Sequence, residues 1–201
     1  MSWWITVDDL VLPRQLAGHP ALELVNSRSG WGEPFHERQE FLRSPDHLIV
    51  LARHTGVLDP DRAARLRRRA RRDRASAEAE LDRARAVRRD LHDVVIGTAT
   101  RTATARLAEA VGEARSRQRL VVEDDGGASW SLPAAPSLRD PVDAFLVAAG
   151  DLLVARPRVG ACPGHDCGWL FVNASGRRRW CQMAVCGNRA KQASHLARSR
   201  A

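Results

Sequence analysis

The sequence predicts an α+β protein: a mainly α-helical N-terminal domain with a small β-hairpin, then a C-terminal ribbon built on cysteines and followed by a helix. Three observations carry that prediction. Apolar residues recur at helical spacing through most of the first 155 positions, with proline and capping residues where helices would start. An apolar run, an Asp-Asp-Gly-Gly turn and a second run ending on Trp130 mark a hairpin over 118–132. All four cysteines of the 201-residue chain lie between positions 162 and 186.

Taken in order, "WWITV" (3–7) is bulky and β-branched, hence a strand, and Asp8 and Asp9 turn it. "HPALELVNS" (19–27) sets Pro20 at a helix start. In "SPDHLIVLARHTGVL" (44–58) Ser44 is the expected N-cap, Pro45 the first helical residue and Gly56 the stop. Asp59-Pro60 opens the next helix in the same way. From 61 to 96 an apolar stripe runs through Leu66, Ala70, Ala77, Leu81, Ala84, Leu91 and Val95, with one break expected near 73–76. A further helix is expected at 102–117, and an amphipathic one at 137–157 that Pro157 ends. The basic run "RLRRRARRDR" (65–74) reads as a solvated helix face, with i,i+4 pairs Arg69–Asp73 and Arg74–Glu78, and Arg89–Asp93 farther along.

The length suits one medium domain with a small appendage, and 44% hydrophobic residues suffice for a core. The start lacks a basic segment, its apolar run is cut by Asp8 and Asp9, and Asp151 interrupts the longest apolar stretch. No signal peptide and no membrane span are therefore expected, and the cytoplasm is the expected location. There thiols stay reduced, so clustered cysteines favour metal over disulfides. The net charge of +8 sits at one end: from 156 onward eight arginines and Lys191 face the single acid Asp166, while charges before that point cancel. The helical periodicity also stops there, which divides the chain into residues 1–156 and 157–201.

Cys162 and Cys167 are separated by four residues, as are Cys181 and Cys186, with thirteen residues between the pairs. Zn²⁺ takes four thiolates in a tetrahedron, and two ligand pairs on tight turns supply them when a hairpin returns the chain. "WLFV" (169–172) reads as a strand, "NASG" (173–176) as the turn and "RRRW" (177–180) as the return strand. One structural Zn²⁺ on Cys162, Cys167, Cys181 and Cys186 is the expected cofactor, and His165 is read as a surface residue. Four thiolates leave no position for a reactive water, so no catalytic zinc is expected. Trp180 either stacks on a base or packs into the ribbon's core, the commoner role for such a tryptophan.

"WLFVNASGRRRWCQMAVCGNRAK" resembles the CGNR zinc-finger family, whose signature stands here as Cys186-Gly187-Asn188-Arg189. "GHPALELVNSR" and "FLRSPDHLIVLARHTGVL" are similar to segments of the ABATE domain found ahead of that finger. The resemblance implies zinc on the four cysteines and a role as a bacterial, stress-induced transcription regulator.

After Cys186 a final helix is expected with Asn188 as its N-cap and a small-residue face of Ala190, Ala193, Ser194 and Ala197. Arg177, Arg178, Arg179, Arg189, Lys191, His195 and Arg198 then form the candidate nucleic-acid surface, for DNA before RNA. The bland alternatives are a solvated basic tail or arginines docked on acids of the N-terminal domain. A rival of another class is a protein-interaction or thiol-redox-sensing zinc module without direct nucleic-acid contact. The N-terminal histidines show no metal or triad spacing and no phosphate loop is present, so no enzyme is expected. A regulator needs an input, and Glu23, Asn26 and Trp31 are the candidate lining of a pocket for a small-molecule effector. For Asn26, holding backbone at a helix end is the commoner role.

Overall fold

A computed structural model describes residues 2–32 and 34–198. The chain begins with an antiparallel hairpin, β1 (Trp4–Val7) and β2 (Leu10–Pro13). Asp8 and Asp9 both adopt positive φ, 49° and 62°, which gives the left-handed two-residue turn that twisted hairpins favour. The second strand carried no signal of its own in the sequence, because it ends on proline and the turn lacks glycine.

Six helices follow: α1 (Pro20–Val25), α2 (Pro45–His54), α3 (Pro60–Arg72), α4 (Arg74–Ile96), α5 (Arg101–Ser116) and α6 (Asp140–Ala155). Four of them have proline in the first turn, where its missing N–H costs nothing. Side chains cap four: His19 accepts from Ala21 N, Asp59 from Arg62 N, Asp73 from Ser76 N and Thr100 from Ala103 N. Ser44 holds the N-cap position of α2 but turns its hydroxyl to His47 Nδ1 at 2.8 Å. The expected break between α3 and α4 falls on Asp73. Because that carboxylate caps α4, it forms no pair with Arg69, which donates instead to Pro136 O. The other two expected pairs are likewise absent among the described residues. Within the run Arg67 pairs with other elements instead, with Asp8 and Asp46, and Arg62 just ahead of it pairs with Asp140.

The second hairpin, β3 (Arg119–Val122) and β4 (Ala128–Ser131), stands as expected. Helix α6 stands where the amphipathic helix was expected, but more than one face of it is buried. It lies at the centre, against α1, α2, α4 and α5, and its first eight residues are all buried. Asp140 and Asp143 have no exposed surface there. They are held by Arg62 at 2.8 Å, by Arg83 at 3.0 Å and Arg117 at 2.8 Å, and by the helix N-terminus they occupy. The helix ends on Arg156, in the left-handed region at φ 47°, just before Pro157.

The C-terminal segment contains β5 (Val159–Ala161), paired antiparallel with β6 (Leu170–Val172), then a π-helical turn (Met183–Gly187) and α7 (Asn188–Arg198). Here one expectation is corrected. Strand β6 pairs with β5 upstream, and 177–180 is not a return strand. Asn173 is the reason: its Nδ2 donates to Arg178 O at 2.9 Å and its Oδ1 accepts from Arg178 N at 3.1 Å. One side chain thus does what ladder bonds would have done, and the arginines hang from it as a loop. The described residues include no helix long and apolar enough to cross a membrane.

Candidate metal centre

Cys162 follows β5, and its N–H donates to Trp169 O at 2.8 Å, which closes the first knuckle. Within it Cys167 N donates to Gly164 O at 3.1 Å. A Cβ on Gly164 would lie 2.9 Å from Cys186 Sγ, so glycine is what lets the two ligand pairs meet. The second pair straddles the π-helical turn, with Cys186 inside it.

The four sulfurs lie within 4.8 Å of one another, and all four residues are buried. Cys167 and Cys181 sulfurs are 3.5 Å apart, Cys181 and Cys186 sulfurs 3.6 Å. Tetrahedral Zn–S bonds of ~2.3 Å require edges of roughly 3.8 Å, so the cluster has the size of a zinc site. Phe41, Trp169 and Phe171 are buried against it, with Trp3, Trp31 and the half-buried Trp180 at its margin. At this spacing the sulfurs are within hydrogen-bonding reach of one another. Hydrogen bonds from the other three sulfurs hold Cys162 well below the ordinary thiol range, while its bonds to those neighbours push Cys167 far up. A dication would take all four as thiolates. The donor set therefore fits one structural Zn²⁺, which would supply folding energy and no reactive site. His165 stays outside, its side chain 86% exposed beside Asp166.

Two family models match this chain. Residues 158–199 match the CGNR zinc finger. Residues 18–156 match ABATE, described as "Putative stress-induced transcription regulator". The chain belongs to the ABATE family and carries a CGNR zinc finger. A search of curated proteins finds no match to it.

The structure gives each residue of the CGNR signature a physical task. Cys186 is a metal ligand position. A Cβ on Gly187 would meet Met183 Sδ at 2.3 Å and Trp180 Cδ1 at 3.2 Å, so a side chain there would displace the Met183 thioether and press on the Trp180 ring. Asn188 is not the N-cap the sequence suggested: it is helical, and its Nδ2 donates back to Ala184 O at 3.3 Å, securing the π turn. Arg189 lays its guanidinium over Trp3 at 4.3 Å and so ties α7 to the N-terminal hairpin.

The other candidate cations divide in the same way. Arg178 is a clamp: it donates to the carbonyls of Leu16, Trp180 and Cys181 and lies over Phe171 at 4.2 Å. Arg177, Arg179, Lys191, His195 and Arg198 are exposed. Arg179 rests on Trp180 at 5.1 Å, next to Gly187, which places the arginine loop beside the root of α7. The small-residue face of α7 is not buried: Ala190 is half-buried, and Ala193, Ser194 and Ala197 are exposed.

Of the residues nominated for an effector pocket, two serve as internal staples. Asn26 is fully buried, its Nδ2 donating to Leu170 O and its Oδ1 accepting from Leu170 N, both at 2.9 Å. Glu23 Oε1 accepts from Ala17 N at 2.8 Å, while Oε2 is buried without a partner among the described residues. Trp31 stacks face to face on His92 at 3.8 Å. The large cleft of the N-terminal domain opens nearby on other residues, chiefly Arg28, Phe35, Arg38 and Arg89, which no sequence motif marked.

Burial, only partly offset by backbone hydrogen bonds, raises Glu23 to about 7. A raised carboxyl favours the protonated native state, so its contribution to stability is best below its unfolded value. Stability should fall as pH rises from about 4.5 to about 7 and stay flat above that, on account of this group. Glu23→Gln keeps the acceptor oxygen and carries no charge. Denaturant melts across this range should show a shallower decline for the variant than for the wild type; equal slopes would contradict the assignment.

Proposed function

We propose that the protein is a stress-responsive transcription regulator that binds nucleic acid, DNA in preference to RNA, through the zinc-built C-terminal segment. One observation carries the reading: α7 projects from the metal centre with no buried residue and no acid, bearing Arg189, Lys191 and Arg198. An isolated helix of eleven residues is marginal in water. Cys186 in the π turn anchors this one at its root, and Arg189 fastens its first turn to Trp3. Beside the root lies the exposed Arg179, with the exposed Arg177 two residues earlier in the same loop. A cationic helix and loop held on a metal scaffold fit a phosphate backbone, whose counterions they would release on binding.

Burial of all four cysteines, each 2–4% exposed, supports a scaffold over an oxidant sensor. A closed four-thiolate site also supports a non-enzymatic role. The reading is tested by titrating salt against binding to a DNA pool and an RNA pool. Affinity should fall linearly on logarithmic axes, with about 0.9 units of slope for each phosphate contacted on B-DNA. Salt-independent binding, or none at low salt, would remove the proposal.

A further inference from the structure

The N-terminal domain holds an open cleft of about 980 Å³, bounded by the segment 28–43 and one face of α4. Six arginines line it, against Glu37, Glu40 and Asp82. Two of those acids are already taken. Glu40 receives both terminal nitrogens of Arg88, at 2.7 and 2.6 Å, and Asp82 receives Arg85 at 2.8 Å. Among the described residues no carboxylate pairs with Arg28, Arg38 or Arg89. Arg88 is 2% exposed, and its Nε lies buried at the cleft without a partner among the described residues, as does that of Arg28. A protein interior rarely leaves such donors unmet unless a ligand or ordered water meets them.

Arg28 has the most telling setting. Its guanidinium lies over Trp31 at 4.7 Å and over Phe35 at 4.9 Å, so aromatic faces, not an anion, hold it in place. Burial and the neighbouring Arg88 both weigh against its charge, and its pKa is lowered accordingly. An anion beside it would relieve both. Phe35 is 54% exposed at the same wall, apolar surface that a flat ring would cover.

We propose that this cleft binds a small organic oxyanion, a carboxylate or phosphate ester carried on a planar ring, with Arg28, Arg38 and Arg89 meeting the anion and Phe35 meeting the ring. Arginine forks suit both oxyanions bidentately. The volume lies within the range of about 300–1,000 Å³ usual for small-molecule sites. Glu37 at the cleft and the concave shape disfavour a continuous polyanion. The position is also apt for an input. The carbonyl of Arg28 accepts from Trp169 Nε1 at 2.8 Å, and Gly30 N donates to Cys167 O at 2.9 Å, so the loop that carries Arg28 also grips the metal knuckle.

Calorimetric titration of the zinc-loaded full chain with phenyl phosphate, benzoate and inorganic phosphate tests this at low ionic strength. One aryl anion per chain should bind, and the better of the two identifies the oxyanion. Arg38→Ala and Arg89→Ala, both exposed positions, should each weaken it by about tenfold, as losing one charge-assisted contact does. Phe35→Ala should erase the advantage of phenyl phosphate over inorganic phosphate, and Arg177→Glu should change nothing. No saturable binding of either aryl anion at millimolar concentration would overturn the proposal. So would equal weakening by Arg177→Glu, which means diffuse attraction, or competition by a short DNA strand, which means a nucleic-acid surface.

Discussion

Cys181→Ala should lower the melting temperature of the whole chain by roughly 6–20 °C, and should not merely loosen its last quarter. Losing one of four thiolates forfeits most of the metal's folding energy, which is on the order of 10 kcal/mol in isolated zinc fingers. Even if only 3–5 kcal/mol of that reaches global stability, about 2–4 °C per kcal/mol is expected for a chain of this length. The boundary at 156 reads in the sequence as the division between two units, which would let residues 1–155 stay folded without the metal. The structure argues otherwise. Val172 N donates to Ala17 O, Asn26 clasps Leu170 on both sides, Trp169 donates to Arg28 O, and Arg178 reaches Leu16 O. Leu170 belongs to the N-terminal core, and Phe41 to the wrapping of the cysteines. Calorimetric melts and limited proteolysis check this. An unchanged main transition with only 158–198 cleaved would restore two independent units.

Charge reversal on the exposed surface should have the largest effect on binding. Combining Arg177→Glu, Arg179→Glu, Lys191→Glu and Arg198→Glu should abolish nucleic-acid binding at physiological salt and flatten any residual salt slope by about four units. These four positions are chosen because they are exposed and, among the described residues, form no ion pair; Arg179 only rests on the Trp180 ring. Arg178 and Arg189 are excluded: Arg178 bonds three carbonyls and Arg189 packs on Trp3, so their loss would confuse contact with folding. Zinc content and melting temperature should remain those of the wild type. Retained affinity in a folded, zinc-loaded variant would move the interface elsewhere and favour a protein-interaction role.

The helices were legible because their starts are local chemistry. His19-Pro20, Ser44-Pro45 and Asp59-Pro60 announce themselves within two residues, and Asp73 marks its break by itself. What failed depends on distant partners. Residues 177–180 read as a strand until Asn173 is seen taking both backbone groups of Arg178. Helix α6 read as amphipathic, whereas Arg62, Arg83 and Arg117 meet Asp140 and Asp143 and let its whole first half be buried. The cysteine cluster was legible because tetrahedral ligation confines its ligands to short, paired spacings. The arginine cleft was not, since Arg28, Arg38 and Arg89 converge from two segments with no shared period.

The central claim is that Cys162, Cys167, Cys181 and Cys186 together hold one zinc ion that carries α7. Zinc-edge X-ray absorption on the purified full chain, with the metal-to-protein ratio measured on the same sample, tests it most directly. The account predicts one zinc per chain and a first shell of four sulfurs at ~2.3 Å with no nitrogen or oxygen. Fewer than four sulfurs, a nitrogen or oxygen ligand, or protein that is folded and metal-free would contradict it.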